Sequence, residues 1–503
     1  MMLTNPQHRL RTWGRLHALD LSIVLTVFLA CGYFFQGGGW NQNAHFVTTI
    51  ALVDEGTVYL DTWRGSSGDI ANAGEHIVAN KAIGTALAAI PAYLVAKLLT
   101  WPLTNVGNAL ILRAYLTTLG TSGLALAMLA WLFFRYAQRT LEPGAATAVA
   151  LAMALATPLF PSSTMLSSHP LVSLAAFGAF MLLTRQTPLS NRALLAAGVL
   201  AALPVTMEYL TGVILLPLGL LALVRMRGSW RLVFMAMGIA LVALVPLTYH
   251  LLVFGHPLHT GYDAMVNPEF AHAQAQGWHG FTGLSVWRLY QLTFGPNRGY
   301  FFLSPLLLAA VPGWVAAIRR PASRRDALAA LGVGGLVLGL VASFVHWHSG
   351  SATGSRYALL FVTFAVVGVV ELWPRYRGYL QVGALWGGFV MLMSVSVTAI
   401  PPPPGQSGPV YNVLAWWWGR FWVGDFSVWQ QAVAMQHGRP VGTPTLPYAF
   451  NLGQLLGLNG LWSLVPLVLT GGLVVVTLRR ALMRWSPTPG AAKTMPTRAA
   501  VEP

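Results

Sequence analysis

Residues 19–35 read LDLSIVLTVFLACGYFF, an apolar run close to membrane-spanning length. Arg9, Arg11 and Arg15 precede it, which is typical of a signal anchor that is retained rather than cleaved. Further runs of spanning length, or slightly shorter, lie near residues 84–100, 109–134, 144–162, 168–184, 194–208, 211–224, 232–252, 300–318, 327–345, 357–373, 379–398 and 456–478. So many runs in one chain favour a multi-pass membrane protein over a secreted protein with a leader.

The composition agrees with this interpretation. Of 503 residues, 55% are hydrophobic and 9% charged, whereas about a quarter of the residues of a soluble domain are charged. The net charge of +16 is collected in short clusters between the apolar runs, which argues against a nucleic-acid partner. Cys31 is the only cysteine, so neither an intramolecular disulfide nor a thiolate metal cluster can form.

The positions of Lys and Arg predict how the chain is oriented. Alternation between the runs places 21 of the 30 basic residues on one side, together with both termini, and this side is predicted to be cytoplasmic. Four segments alternate to the outer side: 37–83, 253–299, 346–356 and 399–455. Residues 84–134 must then cross an odd number of times although they hold two apolar runs, so either one run is re-entrant or interfacial, or three short spans are present. We predict 12 to 13 transmembrane helices.

The first outer segment concentrates the acidic residues. It holds five of the 14 in the chain, namely Asp54, Glu55, Asp61, Asp69 and Glu75. Between an asparagine cap at residues 41–43 and Gly56, apolar residues recur at helical spacing, which predicts a short amphipathic helix on the membrane surface. His76 lies in the polar stretch that follows this helix.

Lys81 stands where the next helix enters the membrane from the outer side. Its ammonium either extends to lipid headgroups or binds a lipid-linked phosphate at the same depth. Both interpretations predict that it lies at the membrane boundary.

The other outer segments supply the remaining candidates. Arg298 begins a helix, where the macrodipole prefers anions, so an anionic partner is expected. Arg356 follows a glycine- and serine-rich stretch and has the fork geometry that binds phosphate. Residues expected to line a substrate cavity beside them are His76, His169, Glu208, Tyr209, Tyr262, His346, His348 and Tyr357.

Two further patterns have less specific interpretations. His346 and His348 resemble half of a metal site, but no carboxylate close in sequence completes it, so no metal or other cofactor is predicted and a divalent ion stays the alternative. The tryptophans at 416–418 are typical of an interfacial aromatic belt, with sugar stacking as the second interpretation.

The order of these motifs resembles the polyprenyl-phosphate-sugar-dependent GT-C glycosyltransferases, the clan of protein O-mannosyltransferases and the lipid A aminoarabinose transferase. The resemblance runs from Arg9 to about Tyr357 and rests on motifs in a fixed order. These are ALVDEG at 51–56, SGDIA at 67–71, NKAIG at 80–84, His169, Glu208-Tyr209, Gly261-Tyr262, NRGYFFLSP at 297–305 and GSRY at 354–357.

The resemblance implies an all-α polytopic fold and an inverting transfer of a sugar from an undecaprenyl-phosphate donor to a glycan, lipid or protein acceptor. It implies that a carboxylate of the first outer loop is the general base and that cations hold the lipid phosphate. The matching motifs assign the base to Asp69, with Asp54 as the second choice. They assign the phosphate contacts to Lys81, Arg298 and Arg356. The chain departs from the clan at 41–43, where Asn-Gln-Asn replaces the acidic residue that many members carry.

With this resemblance, residues 1–398 form the GT-C-like catalytic core, 399–455 an outer loop, 456–479 the last transmembrane helix and 480–503 a disordered cytoplasmic tail. The expected location is a bacterial inner membrane, with the active site on the periplasmic face. Two alternatives stay open. An O-antigen ligase or polymerase would use a diphosphate donor, and a lipid or solute transporter would use the same helices without chemistry.

Overall fold

A computed structural model describes residues 6–403 and 411–484. Within these residues the chain is an all-α polytopic protein, as predicted. Its helices are α1 Pro6–Tyr33, α2 Trp40–Ile50, α3 Gly84–Leu99, α4 Val106–Thr118, α5 Leu124–Ala137, α6 Pro143–Leu155, α7 Leu159–Ser163, α8 Ser168–Thr184, α9 Asn191–Met207, α10 Leu215–Met226, α11 Leu232–Phe254, α12 Pro268–Gln274, α13 Val286–Thr293, α14 Tyr300–Leu303, α15 Ala310–Ile318, α16 Arg324–Ser343, α17 Leu359–Val397, α18 Val413–Val423, α19 Leu452–Leu455 and α20 Val465–Arg484.

Six helical stretches are long and apolar enough to cross a membrane: Val106–Ala137, Tyr209–Met226, Leu232–Phe254, Arg324–Ser343, Arg356–Val397 and Gly460–Met483. Six shorter apolar helices accompany them: His17–Tyr33, Gly84–Leu99, Pro143–Leu155, Ser168–Thr184, Asn191–Met207 and Pro305–Ile318. The longest stretch bends at Tyr376, two residues after Pro374, because proline removes a backbone hydrogen bond from a helix. The predicted 12 to 13 transmembrane helices would require shorter apolar helices to cross the membrane in addition to the six long stretches.

The uncertain region 84–134 resolves into two helical pieces. α4 and α5 are joined through a π-helical turn, Leu119–Gly123, into one long helix. The turn between α3 and α4 is bound to the predicted outer segment 399–455, because Asn105 donates to the Thr443 carbonyl and Asn108 to the Thr445 hydroxyl. Both ends of α3 therefore lie among segments assigned to one side, which supports the re-entrant interpretation of this run.

Three two-stranded sheets hold the loops in place. β1 Phe34–Gln36 pairs antiparallel with β6 Ala449–Asn451. This pairing joins the end of α1 to the last of the four outer segments, residues 399–455, which is called the late segment from here on. β2 Ile70–Ala73 and β3 His76–Ala79 form a hairpin, with Ile70 opposite Ala79. The third pair is β4 Met435–Gln436 with β5 Arg439–Pro440.

The late segment also covers the first outer segment. Asn43 on α2 donates to the carbonyls of Ser66 and Ala432, at 2.8 Å each. Residues Asn41–Ile50 are consequently all buried. α2 begins where the pattern predicts, and a π-helical turn, Ala51–Glu55, extends it to the predicted stop at Gly56. It is covered by protein rather than lying open on the membrane surface. α18 lies within the segment predicted to be a loop, and α20 extends to Arg484; the rest of the predicted tail lies outside the described residues.

The opposite end of the bundle carries the basic clusters. Arg139 approaches Asp326 at 3.4 Å, and Arg320 approaches Glu371 at 2.7 Å. These contacts join helices that are distant in sequence.

Candidate active site

A cavity of about 1510 Å³ opens at the end of the bundle where the four predicted outer segments meet. All four contribute to its lining, and helix ends at Glu208 and Tyr209 complete it. The sequence-predicted residues that line it are Asp69, Lys81, Glu208, Tyr209, Tyr262, His346, His348, Arg356 and Tyr357. Nine of the thirteen predicted site residues therefore meet in one place, although they come from separate parts of the chain.

Asp69 and Lys81 are brought together by the β2–β3 hairpin. The strand register ends at Ile70 and Ala79, so Asp69 and Asn80 lie side by side, and the Asn80 amide donates to the Asp69 carbonyl at 3.0 Å. The next residue, Lys81, places Nζ 3.3 Å from Oδ1 of Asp69. Their side chains are only 9% and 10% exposed, so the pair is largely desolvated.

Lys81 is a buried cation that stays charged. Burial, the largest single influence, would by itself lower its pKa, but Asp69, Tyr357 and Glu208 together outweigh it, and the pKa is raised above its ordinary value. Nζ also lies 5.5 Å from the centre of the Tyr262 ring, close enough for a cation–π contact. Lys81 thus presents a fixed positive charge to the cavity.

Arg356 is the second cation on the cavity wall. Nη2 donates to the Ser349 carbonyl at 2.6 Å and Nε donates to the same oxygen at 3.2 Å. Nη1 is buried and has no hydrogen-bond partner among the described residues. An unpaired buried donor is costly, so this atom is suited to an anionic ligand in the cavity.

Arg298 differs from these two cations, because it does not line the cavity. It is fully buried and donates to the carbonyls of Ala352, Gly350 (2.8 Å) and Pro402 (3.4 Å). Burial, reinforced by the nearby charge of Arg356, lowers its pKa to about 10. Its guanidinium holds the loop that carries Arg356 in place. Arg298 is therefore not positioned to contact a ligand in the cavity directly.

We expect Arg298→Met to reduce stability more than ligand binding. The three carbonyls would lose their donor, at roughly 1 to 3 kcal/mol for each buried acceptor left unpaired. The apparent melting temperature in nanodiscs should therefore fall, while affinity for undecaprenyl phosphate should fall less than in Arg356→Met. An unchanged melting temperature together with abolished lipid binding would contradict this expectation and would indicate that Arg298 contacts the phosphate directly.

Three other predicted residues also lie off the cavity lining. Asp54 is paired with Lys97 at 2.6 Å and accepts from the Tyr93 hydroxyl at 2.6 Å. His76 is exposed and bound to Asp61 at 2.8 Å. His169 is buried behind the wall, with its ring in edge contact with that of Tyr357.

Glu208 is the second carboxylate close to the cations. It caps the end of α9, is 6% exposed, and accepts from the backbone amide of Leu210. Tyr209 beside it places its hydroxyl 2.7 Å from Nε2 of His250. Of the four carboxylates that line the cavity, Asp69 and Glu208 are buried, whereas Asp263 and Glu269 are exposed. The two buried carboxylates share a desolvated setting with Lys81 and Arg356, where electrostatic effects are stronger than in water.

The histidines of the 346–356 segment are uncharged at neutral pH. Burial lowers the pKa of His346, and the charge of Lys81 lowers it further. Burial, with Arg298 beside it, lowers the pKa of His348 to about 3, and its Nδ1 accepts from the Gly350 amide at 3.1 Å. Among the described residues, no three His, Cys, Asp or Glu side chains are grouped as metal ligands would be.

This burial predicts how stability depends on pH. An unfolded histidine binds a proton below about pH 6.5, whereas folded His348 does not until far lower pH. The unfolded state therefore binds more protons, and stability falls as the pH decreases from about 6.5. The apparent melting temperature should drop between pH 7.5 and 5, and His348→Asn, whose oxygen can accept the Gly350 bond, should flatten this slope. His437→Asn, at an exposed site, is the control and should leave the slope unchanged.

Sequence patterns did not identify several lining residues. Asn41 and Asn80 each have a buried Oδ1 without a partner, and Trp40 and Trp429 also line the cavity. In the sequence, Asn80 belongs to the motif NKAIG at 80–84, but nothing in that motif marks it as a lining residue. Trp429 carried no signal, because nothing in the local pattern sets it apart from the tryptophans at 416–418, none of which lines the cavity.

Comparisons with known proteins give similarities to solved structures only. No protein-family model matches the chain, and no curated protein does. ArnT from Cupriavidus metallidurans in the apo state is 17% identical with a TM-score of 0.45, and the alignment covers 73% of this chain and 61% of ArnT. ArnT bound to undecaprenyl phosphate is 14% identical with a TM-score of 0.47, covering 75% and 70%.

An oligosaccharyltransferase of Archaeoglobus fulgidus in the apo form is 12% identical, with a TM-score of 0.45 and coverage of 76% of this chain and 56% of that enzyme. The chain thus spans less than two thirds of the length of two of these three structures. Every TM-score lies below 0.5. The chain is thus similar, over about three quarters of its length, to structures of ArnT and of an oligosaccharyltransferase.

Proposed function

We propose that the protein is an inverting glycosyltransferase that moves a sugar from a polyprenyl-phosphate donor to an acceptor hydroxyl. The observation that carries the proposal is the desolvated Asp69–Lys81 pair, which shares one cavity with the unpartnered Nη1 of Arg356. A carboxylate can take the proton of the acceptor hydroxyl, and cations can stabilise the phosphate that leaves. The chemistry of group transfer needs both, close together.

The walls of the cavity suit a lipid-linked donor. Leu210 and Val213 come from the apolar stretch Tyr209–Met226, and Leu340 comes from Arg324–Ser343. Both stretches are long and apolar enough to cross a membrane. A polyprenyl chain held in the bilayer could therefore pass its phosphate to Lys81 and Arg356 while its hydrocarbon contacts this apolar wall.

In the proposed reaction, the acceptor oxygen attacks the anomeric carbon from the face opposite the phosphate. The new C–O bond forms as the bond to the phosphate oxygen breaks, and the acceptor proton passes to a carboxylate oxygen of Asp69. The lipid phosphate leaves with the electron pair of the broken bond, beside Lys81 and Arg356. No resident cofactor enters this scheme.

The orientation is also part of the proposal. The excess of Lys and Arg at the end opposite the cavity supports cytoplasmic termini and a cavity on the periplasmic face of a bacterial inner membrane. On that side of the membrane, lipid-linked sugars rather than nucleotide sugars would serve as donors.

The test is a mass-spectrometric assay of purified protein in nanodiscs with a panel of undecaprenyl-phosphate sugars and mixed envelope acceptors. We expect donor-dependent release of undecaprenyl phosphate. Release of a diphosphate from undecaprenyl-diphosphate donors would instead favour the ligase or polymerase alternative. Binding or movement of lipid without cleavage of any donor would favour a transporter.

A further inference from the structure

One wall of the cavity carries no formal charge. Two segments form it: the start of α2, with Trp40, Asn41 and Gln42, and residues 428–431 of the late segment, with Trp429 and two glutamines. The rest of the polar lining mixes uncharged side chains with the carboxylates, Lys81 and Arg356. This wall thus combines aromatic and amide side chains without a charged residue.

The two segments are bound to each other. The indole Nε1 of Trp429 donates to the Gly38 carbonyl at 3.0 Å, and Nε2 of Gln36 donates to the Trp429 carbonyl at 3.4 Å. Trp429 also packs against the buried cluster of Met165, Ala399 and Ile400. Its N–H group is therefore used inside the protein, and the indole offers the cavity a fixed carbon surface.

Asn41 has a buried hydrogen-bond acceptor without a partner among the described residues. This acceptor is Oδ1, on a side chain that is 8% exposed and lines the cavity. Asn80, next to Asp69, has a buried and unpartnered Oδ1 as well. Buried acceptors are nearly always paired, so two on one cavity indicate that a ligand supplies the donors.

This wall lies beside the proposed base. Gly68 packs against the Trp40 ring so closely that a Cβ at this position would lie 2.6 Å from a ring carbon. Asp69 is the next residue. A molecule resting on the Trp40 side of the cavity would therefore have its polar groups near the carboxylate.

The geometry points to a subsite for an uncharged sugar ring on the wall formed by Trp40, Asn41 and Trp429. Aromatic surface suits the C–H face of a pyranose, and neutral amide oxygens accept from its hydroxyls. An acidic sugar would find no cation on this wall, and its carboxylate would be desolvated without a partner. The inference rests on the proposed function and narrows it to a neutral donor sugar or a neutral acceptor glycan.

The test measures binding to the protein in nanodiscs by native mass spectrometry. The probes are undecaprenyl phosphate, undecaprenyl-phosphate glucose, undecaprenyl-phosphate glucuronic acid, maltotriose and trigalacturonate. The variants are Trp429→Ala, the conservative Trp429→Phe, and Trp418→Ala as a matched control. Trp418 is a half-exposed tryptophan of the same late segment that does not line the cavity.

The probes form two neutral–acidic pairs: undecaprenyl-phosphate glucose with undecaprenyl-phosphate glucuronic acid, and maltotriose with trigalacturonate. In the wild type, we expect the neutral member of at least one pair to bind more tightly than its acidic counterpart. Trp429→Ala should weaken that neutral ligand by about tenfold, the upper end of what an aromatic contact contributes. Trp429→Phe should recover most of the loss, and Trp418→Ala should have no effect. A loss confined to undecaprenyl-phosphate glucose assigns the subsite to the donor sugar, and a loss confined to maltotriose assigns it to the acceptor.

Two outcomes would overturn the subsite: neutral ligands unaffected by Trp429→Ala, or acidic ligands bound as well as neutral ones. Neither depends on the proposed function, because undecaprenyl phosphate without sugar reports separately on the cations. A wild type that binds undecaprenyl phosphate but shows no Trp429 effect keeps the function and removes the subsite. A wild type that binds maltotriose through Trp429 but binds no polyprenyl phosphate keeps the subsite and removes the proposed function.

Discussion

Asp69→Asn is expected to lower the rate of sugar transfer by ~10²- to 10⁴-fold, the range that general-base catalysis supplies. Donor affinity should not fall with it. The substitution removes a negative charge 3.3 Å from the Lys81 ammonium, so repulsion of the donor phosphate decreases and Lys81 gains freedom to bind it. Single-turnover rates and donor affinities measured on the same nanodisc samples separate the two effects.

Asp54→Asn is the matched control for this experiment. Asp54 is also a first-segment carboxylate paired with a lysine, at 2.6 Å, but it lies off the cavity. Its substitution should leave transfer within about threefold of wild type, because no proton of the acceptor can reach it. If Asp69→Asn keeps full turnover, the base is another carboxylate, and Glu208 is then the nearest alternative on the cavity wall.

Lys81→Met is expected to weaken undecaprenyl phosphate binding by at least ~30-fold. Loss of one partner of a buried charge contact costs about 2 to 5 kcal/mol, much of it because the remaining charge is left unpaired. Here Asp69 and Glu208 would both stay in the cavity and would repel the phosphate. Binding of the lipid phosphate, measured by native mass spectrometry across a donor titration, gives the change in affinity directly.

Lys97→Met and Lys81→Arg complete the comparison. Lys97 is paired with Asp54 and is 38% exposed on its side chain, so its removal should change lipid binding little. Lys81→Arg keeps the charge and should recover part of the affinity, although a guanidinium differs in shape from an ammonium. Equal lipid affinity in Lys81→Met and wild type would show that the phosphate lies elsewhere.

The predicted and observed helices agree where apolar runs were long. The run 232–252 became Leu232–Phe254, and 327–345 became Arg324–Ser343, because a chain in a bilayer must satisfy its backbone hydrogen bonds within each helix. The region 84–134 was undecided in the sequence. There the arrangement depends on bonds from Asn105 and Asn108 to a loop more than 300 residues later, and no local pattern encodes such bonds.

In the candidate site, too, local sequence patterns predict some features and long-range contacts decide others. Asp69 and Lys81 were selected from short motifs, and the hairpin between them makes their contact a nearly local event. Arg298 and Arg356 had equivalent interpretations in the sequence, as arginines at a membrane boundary. Only the folded chain distinguishes them. Both Nη atoms of Arg298 are bound to carbonyls away from the cavity lining, whereas Arg356 lines the cavity and its Nη1 has no partner among the described residues.

The sequence by itself determined that this is a multi-pass helical membrane protein, and it determined which polar segments alternate to one side. Those features follow from hydrophobicity and charge, which act residue by residue along the chain. The tertiary structure alone decided that the late segment closes over α2 and that Trp429 is bound to Gly38, just before α2. Burial and pairing depend on which distant residues meet, and that information is in the packing rather than in any single stretch.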